Sequence, residues 1–302
     1  MDRLRALEIF VAVAEAGGFA AAGRATGASP PAVTRAVAGL ERRLATRLFV
    51  RTTRAVRLTE AGERFLADAR RILAELQEAE DAAAGAHGAA RGEIRVTAPV
   101  LFGRLFVAPL LGDFVEAHPA VTCHAVFVDR MVALVEEGID IAVRIGDLPD
   151  SGLTAVRVGA VRRVVVGAPG YLDRAGRPVD PRDLADHRIV ASTAAGAGPD
   201  WRFVGGDGRL LTVSVPARLT VSTNDAAIDL AEQGRGLTRL LSYQVAAPVA
   251  EGRLERVLDA FAPPPLPVHV VHAEGRAASR KIRAAVDHLV AGLRADPALD
   301  RA

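Results

Sequence analysis

The 302-residue sequence predicts a mainly α-helical N-terminal domain and an α/β C-terminal domain, joined by a long linker helix. Three observations predict this arrangement. Apolar residues recur at helical spacing through the first 44 residues, an apolar repeat of four and three residues covers 65–83, and strand-like runs alternate with helical patterns from Glu93 onward. Hydrophobic residues make up 50% and charged residues 25%, which is typical of a folded globular protein.

Basic charge is concentrated at the N-terminal end of the chain. Residues 1–59 contain ten Arg and four acidic residues, a net charge of +6, whereas the whole chain has a net charge of +2. A local excess of positive charge favours a polyanionic partner such as nucleic acid. The alternative is a solvated charged face.

The first 44 residues predict three helices, of which the last two are joined by a short turn. The first helix ends at Gly17-Gly18, and an Ala-rich helix over 20–26 ends before Gly27. Ser29 followed by Pro30-Pro31 is a strong helix start, because Ser caps helices and Pro is favoured at their first position. This layout predicts a helix-turn-helix, whose second helix enters the major groove of DNA.

The candidate DNA contacts lie on the polar face of that second helix and in the segment after it. Arg35 lies opposite the apolar residues, where it would contact either a guanine edge or a phosphate. Residues 48–58 predict a short hairpin, or wing, whose Arg and Thr side chains are suited to phosphate contacts. The residues predicted to contact DNA are Ser29, Pro31, Thr34, Arg35, Ala38, Arg42, Arg51, Thr52, Thr53, Arg54 and Arg57.

A long linker helix is expected to begin after Thr59, a favourable N-cap. Its apolar residues are spaced alternately by four and three, as in a coiled-coil seam between two subunits. The residues of this predicted dimer seam are Phe65, Ala69, Ile72, Leu76, Ala79 and Ala83. The alternative is a helix that packs on its own domain. The small residues of 85–92 predict a boundary between domains.

The remainder of the chain predicts an α/β domain with mainly parallel sheets. Helices are expected over 101–117, 130–137, 224–233 and 277–293, a single strand over 161–166, and a hairpin turn at 205–208. Ligands of such sheets bind beyond the C-terminal ends of strands, where helix N-termini present free N–H groups that suit an anionic small molecule. Three such strand-to-helix junctions are expected, at 97–103, 144–146 and 222–224.

Signals of catalysis and of metal binding are poor. The sequence contains no G-x-S-x-G, P-loop or Rossmann glycine motif, so we expect neither an enzyme nor a cofactor. His269 and His272 would lie on opposite faces of a strand, which argues against a metal site. Cys123 is the single cysteine, which favours a reducing compartment. Without a signal-peptide pattern or a long apolar stretch, we expect a cytoplasmic protein.

Residues 7–62 resemble the DNA-binding domain of LysR-type transcriptional regulators. The shared motifs are, in order, FVAVAEAGGF, SPPAVTR, LERRLATRLF and RTTRAVRLTEAG. The segments RVTAPVLFGRLFVAPLL and VEEGIDIAVRIGDLPDSGL are more loosely similar to the effector domain of the same family. The resemblance therefore spans nearly the whole chain, and its strength lies in the first 62 residues.

The resemblance implies a winged helix-turn-helix domain over 1–59, a linker and dimerisation helix over 60–88, and an effector-binding domain over 89–302. The last would be a two-lobed, periplasmic-binding-protein-like α/β domain with its pocket between the lobes. Lobe one would comprise 93–163 and 267–302, and lobe two 164–266. The resemblance also implies double-stranded promoter DNA as partner, a homodimer through the linker helix, a homotetramer, and contact with RNA polymerase in an activator.

The sequence departs from the family pattern at two positions. The family often has Ser or Thr where this chain has Ala20, and commonly Gln where it has Pro30. Because Pro cannot hydrogen-bond to a base edge, base contacts are expected to fall on Thr34, Arg35 and Arg42.

The effector contacts are predicted from the three junctions and from two further polar residues. They are Thr97, Pro99, Val100, Phe102, Gly103, Arg144, Ile145, Gly146, Thr193, Ser222, Asn224 and Arg239. Ser222 and Asn224 could equally serve only as helix caps, and Arg144 could close a salt bridge within the domain. Two rival functions are a solute-binding protein, disfavoured by the basic N-terminal end, and an enzyme with an appended DNA-binding domain, disfavoured by the missing catalytic motifs.

Overall fold

A computed structural model describes residues 2–51, 56–83, 90–148, 152–194, 198–273 and 279–299 of the chain. The chain divides into two compact units, Met1–Gly88 and Ala89–Ala302. No helix within the described residues is long and apolar enough to cross a membrane.

The described residues of the first unit form four helices and a two-stranded hairpin. Its elements are α1 (Arg3–Ala16), α2 (Phe19–Thr26), α3 (Pro30–Leu44), β1 (Phe49–Arg51), β2 (Val56–Leu58) and α4 (Glu60–Ala83). The expected helix-turn-helix is therefore α2, a turn and α3, and the expected wing is the antiparallel pair β1 and β2. Both predictions are confirmed.

The turns of the first unit follow from glycine and proline. Gly17 and Gly27 end α1 and α2 in the left-handed conformation, with φ of 63° and 66°, which glycine adopts without steric cost. Ser29 occupies the N-cap of α3, but its hydroxyl does not cap the helix. Pro31 has no N–H to donate, and the N–H of Ala32 donates to the Ser29 carbonyl at 2.8 Å. The predicted helix start is thus confirmed, although the Ser29 hydroxyl makes no capping hydrogen bond to a backbone N–H of α3.

The core of the first unit buries the apolar faces of α1 and α3 together with the start of α4. Phe10 is fully buried, and its ring lies 5.3 Å from those of both Phe49 and Phe65. Ala69, one turn further along α4, is also fully buried. Ala69 is therefore buried in its own unit and Phe65 is half-buried against Phe10, so the dimer seam over these two residues stays a prediction with an alternative partner for each.

The second unit contains a five-stranded sheet in the order β4-β3-β5-β14-β6. The strands are β3 (Gly92–Ala98), β4 (Val121–Phe127), β5 (Ile141–Ile145), β6 (Leu153–Val161) and β14 (Leu266–Ala273). β3 runs parallel to β4 and β5, whereas β14 runs antiparallel to β5 and β6. The expectation of mainly parallel sheets was wrong, because the chain returns along β14 after the second lobe.

Helices of the second unit pack on this sheet. They are α5 (Val100–Phe102), a π-helical segment (Gly103–Val107), α6 (Ala108–Ala117) and α10 (Arg280–Ala295). The first three form one continuous helical run, so the helix expected over 101–117 is confirmed with a π segment inside it.

A second group of strands forms the other lobe of this unit. Its strands are β7 (Arg163–Gly167), β8 (Val190–Ser192), β9 (Asp200–Val204), β10 (Leu210–Ser214), β11 (Leu219–Val221), β12 (Thr238–Leu241) and β13 (Glu255–Val257), and its helices are α7 (Pro169–Ala175), α8 (Asn224–Glu232) and α9 (Ala246–Ala250). β7 is the centre of an antiparallel sheet β12-β7-β13, and β8 pairs parallel with β11. The hairpin expected at 205–208 is confirmed by β9 and β10. The single strand expected over 161–166 was wrong, since Arg162 separates β6 from β7.

The helix expected over 130–137 is absent, and that prediction was wrong. Val132 and Leu134 are both buried in one small cluster, while Ala133 and Val135 between and after them are exposed. This alternation is that of an extended segment rather than of a helix. A turn then closes over residues 134–138, where Gly138 has a φ of 66°.

Candidate nucleic-acid interface and ligand-binding region

The outer face of α3 is polar and basic. Pro31, Thr34, Arg35 and Arg42 are exposed and Ala38 is half-buried, while the apolar residues of the opposite face are buried. The Thr34 hydroxyl donates to the Pro30 carbonyl at 3.1 Å, and Arg35 Nε donates to the Pro31 carbonyl at 3.4 Å. Within the described residues neither Arg35 nor Arg42 pairs with a carboxylate. Both guanidinium groups are therefore available to an external anion.

The wing is fixed to α3 by a carboxylate that the sequence interpretation missed. Glu41 Oε1 accepts the backbone N–H groups of Leu48 at 2.8 Å and of Phe49 at 3.2 Å. Hydrogen bonds to an ionised acceptor are stronger than neutral ones. An acidic residue in the otherwise basic last turns of α3 was the signal that could have identified it.

The wing is also fixed to α4. The Thr59 hydroxyl donates to the Arg47 carbonyl at 2.8 Å and accepts the N–H of Gly62 at 2.9 Å, so Thr59 caps α4 as expected. The Thr59 N–H donates to the Leu48 carbonyl at 2.9 Å. Gly62 packs directly on the Leu48 backbone.

The predicted wing contacts are only partly described. Arg57 lies exposed on β2, and Arg51 ends β1. Thr52, Thr53, Arg54 and the side chain of Arg51 lie outside the described residues.

The later residues of the predicted dimer seam differ from the earlier ones in burial. Ile72 is 38% exposed and Leu76 is half-buried, although both lie on the same helix as the buried Ala69. The side chains of Ala79 and Ala83 lie outside the described residues. Packing of α4 against its own unit therefore accounts for the apolar residues at the start of the helix. It does not account for Ile72, whose side chain is exposed.

At the first junction, local groups already use most of the polar atoms. The buried Thr97 hydroxyl donates to the Val126 carbonyl at 2.7 Å. Pro99 is the N-cap of α5, and the Val100 N–H donates to the Asp129 carboxylate at 3.0 Å. That carboxylate occupies the N-terminal end of the helix, where an anionic ligand was expected.

Two further residues of this junction belong to the hydrophobic core. Phe102 is fully buried, and its ring meets that of Tyr243 edge-on at 5.2 Å. Gly103 lies against the ring of Phe127, where a side chain would overlap it. Phe102 thus ties the helical run of lobe one to the segment after β12.

The second junction is not followed by a helix, so that part of the prediction was wrong. Gly146 has a φ of 106°, and its N–H donates to the Pro267 carbonyl at 2.8 Å. Arg144 is half-buried and donates to the Val132 carbonyl at 3.2 Å rather than to a carboxylate. Burial lowers the pKa of Arg144 from its ordinary value. Ile145 is the last residue of β5.

The third junction brings predicted residues together. β8 and β11 run parallel, so Thr193, Ser222 and Asn224 follow the same edge of this lobe. The Thr193 N–H donates to the Val221 carbonyl at 2.9 Å. The Thr223 hydroxyl accepts the N–H of Ala226 at 3.3 Å and so caps α8, which leaves Ser222 exposed and Asn224 half-buried.

Arg239 lies apart from these junctions, in the middle of β12. Its guanidinium carbon lies 4.8 Å from the ring centroid of Trp201. Burial, and then the charge of Arg163, lower the pKa of Arg239 to about 10. The sequence interpretation missed both Trp201 and Arg163. The signal that could have identified Arg163 was its charge within the apolar run VRRVVV.

The cavities and the potentially reactive side chains give little further support to the predicted effector contacts. A groove of about 310 Å³ in lobe one includes Thr97 together with Arg95, His124 and Glu137. Within the part of the chain that the structure describes, no group of three His, Cys, Asp or Glu residues could hold a metal ion. Cys123 lies in β4, and burial raises the pKa of its thiol to about 11.

Comparison with known proteins identifies both parts of the chain. Residues 4–63 match the family described as "Bacterial regulatory helix-turn-helix protein, lysR family", and residues 87–294 match "LysR substrate binding domain". An HTH-type transcriptional regulator of Xanthomonas campestris is 38% identical over 296 residues, which cover 95% of this chain and 85% of that protein. The regulator PtxR of Pseudomonas aeruginosa is 33% identical over 296 residues, 97% of this chain and 94% of that protein.

A solved structure supports the same assignment. The LysR-type transcriptional regulator CrgA of Neisseria meningitidis superposes with a TM-score of 0.62 at 30% sequence identity. The match covers 96% of this chain and 98% of that one.

Proposed function

Because this chain belongs to the LysR family of bacterial transcriptional regulators, we propose that it binds promoter DNA through α3 and the wing. We propose further that a small effector bound between the two lobes of the second unit modulates promoter binding or activation. The single observation that carries the first proposal is the outer face of α3, where Arg35 and Arg42 are exposed and have no carboxylate partner among the residues that the structure describes.

The DNA contacts fall into two kinds. Thr34, Arg35 and Arg42 are proposed to face base edges, and Arg is the commonest residue to bond guanine. The wing residues are proposed to position the protein on phosphates, and they are Arg51, Thr52, Thr53, Arg54 and Arg57. Ser29, Pro31 and Ala38 are proposed as further DNA contacts on α3. The free hydroxyl of Ser29 supports its inclusion, since the helix does not use it as a cap.

The test is a gel-shift titration with the DNA upstream of the protein's own gene, with unrelated DNA as competitor, at two salt concentrations. Arg35→Ala should abolish specific binding, because a bidentate Arg–guanine contact contributes roughly 1–3 kcal/mol of discrimination. Arg64→Ala is the matched control, since the Arg64 side chain is 73% exposed and pairs with Glu60 on α4.

Each outcome of this titration has a defined meaning. Loss of specific binding in Arg35→Ala alone supports the assignment of α3 as the recognition helix. Equal binding by the wild type and Arg35→Ala would remove that assignment. If the wild type did not bind at either salt concentration, the proposed promoter would be wrong.

The effector region is proposed along the strand ends of the second unit. Thr193, Ser222 and Asn224 support it best, because they follow one edge of lobe two. The occupied N-terminus of α5 gives weaker support to Pro99 and Val100.

The assembly is proposed as a homodimer through the exposed part of α4, and as a homotetramer in the cytoplasm. Exposed Ile72 supports the dimer. Contact with RNA polymerase is proposed for activation. The proposed domain limits are 1–59, 60–88 and 89–302, with lobe two at 164–266.

A further inference from the structure

We propose that Arg163 and Arg239, beside Trp201, form a binding site for a small carboxylate in lobe two. This inference rests on the proposed function, because it names the chemical class of the effector that the second unit would bind.

The sheet register places the two arginines on one face. Leu241 pairs with Arg163, and Arg239 pairs with Val165, in the antiparallel pair of β12 and β7. Residues two apart on a strand point to the same face, so Arg163 and Arg239 are diagonal neighbours. Long side chains reach each other across such a diagonal.

Arg163 and Arg239 are both half-buried, and no carboxylate among the described residues pairs with either. Within the described residues neither makes a hydrogen bond or an ion pair through its side chain. By contrast, the guanidinium groups of Arg177 and Arg256 in the same lobe each contact a carboxylate within 3.0 Å. Two neighbouring cations that share a partly desolvated face repel each other, and an anion between them would relieve that repulsion.

Trp201 gives the site a fixed wall. It is only 3% exposed, and Arg239 lies over its ring at 4.8 Å, within the range of a cation–π contact. This contact orients the Arg239 guanidinium but supplies no negative charge. The planar fork of donors on each arginine therefore remains available, and carboxylate is the group that matches it in a bidentate fashion.

A second arginine group in this lobe has a weaker claim. Arg188, Arg218 and Arg235 line a surface pocket of about 440 Å³, but all three side chains are exposed. Partial burial favours pairing with an anion, whereas a solvated arginine gains little from it. The observations therefore favour the pair next to Trp201.

The site carries its own reporter, because Trp201 is the single tryptophan of the chain. The full-length protein would be titrated with sodium malonate at constant ionic strength, with tryptophan fluorescence as the signal. Malonate supplies two carboxylates for two guanidinium groups, and malonamide is its neutral control. We expect a saturable fluorescence change with malonate at millimolar concentration and none with malonamide.

Variants locate the binding. Arg163→Gln and Arg239→Gln should each weaken malonate binding at least tenfold, measured by calorimetry because Arg239→Gln also changes the surroundings of Trp201. Arg202→Gln is the matched control, since Arg202 is exposed on the opposite face of β9 and should leave binding unchanged. Circular dichroism would establish that each variant is folded.

The proposal is overturned if malonate gives no saturable change, if malonamide acts equally, or if Arg202→Gln weakens binding as much as the other two. A gel shift on the same wild-type sample separates this failure from that of the proposed function. Specific DNA binding without malonate binding would leave the regulator in place and remove only the carboxylate site.

Discussion

Replacing Gly62 by Ala should destabilise the first unit, although the same change in most helices is stabilising. In a helix interior, Ala is favoured over Gly by about 0.8–1 kcal/mol. At Gly62, an added Cβ would overlap the carbonyl oxygen of Leu48, well inside 3.0 Å, and would lie 3.0 Å from its carbonyl carbon and 3.1 Å from Leu58 Cδ2. A backbone carbonyl cannot rotate away as a side chain can.

The magnitude follows from three contributions. Overpacking costs roughly 1–3 kcal/mol, and contact with rigid backbone belongs at the upper end of that range. Moving the Leu48 carbonyl also weakens its bond with the Thr59 N–H, which contributes about 1 kcal/mol. After the gain in helix propensity, we expect a net loss of about 2–3 kcal/mol in the free energy of unfolding of this unit.

Hydrogen exchange followed by mass spectrometry is the assay, because it measures the opening free energy of each unit separately within the full chain. Gly39→Ala is the matched control. Gly39 lies in the interior of α3, whereas Gly62 lies in the first turn of α4, and among the described residues a Cβ at Gly39 would meet Arg42 Nη2 alone, at 3.8 Å, so Gly39→Ala should slow exchange. The reasoning would be refuted if Gly62→Ala were as stable as Gly39→Ala, or if peptides from 90–299 changed as much as those of the first unit.

Three further predictions concern other parts of the molecule. Ile72→Asp should raise the dimer dissociation constant in sedimentation analysis, and an unchanged constant would contradict a seam on α4. Cys123 should react with iodoacetamide far more slowly than a peptide thiol at neutral pH, because its pKa is about 11; equal rates would contradict its burial. Burial lowers the pKa of His187 below 6.5, so the stability supplied by its neutral form is present above pH 6.5 and lost as pH falls through the lowered pKa. His187→Gln should accordingly lose less stability than the wild type in thermal unfolding between about pH 7.5 and about pH 5, and parallel losses would contradict this account.

Local chemistry made much of the first unit predictable from sequence. Gly17 and Gly27 mark the ends of α1 and α2 because glycine adopts the left-handed conformation freely, and Pro30 marks the start of α3 because its φ is already helical. These signals depend on neighbours in sequence, so the chain displays them without any knowledge of the fold.

Contacts between distant segments were not predictable in the same way. Phe65 and Ala69 were predicted to contact a second subunit, because nothing near them in sequence shows that Phe65 packs on Phe10 or that Ala69 is buried in the core of its own unit. Likewise, Arg163 and Arg239 lie 76 positions apart in sequence, and only the register of β7 and β12 makes them neighbours. The helix predicted over 130–137 was wrong for another reason, because burial alternates over 131–135 as in an extended segment and the apolar residues there do not mark a helical face.

The peptide groups on either side of Leu48 have a mechanical consequence. The N–H of Leu48 is held by Glu41 of α3, while its carbonyl is held by Thr59 at the start of α4. Leu48 thus links α3, the helix proposed to face DNA, to α4, the helix that leads out of the unit. Because one helix could rotate against the other only by breaking these hydrogen bonds, we expect α3 and α4 to move together as one rigid body.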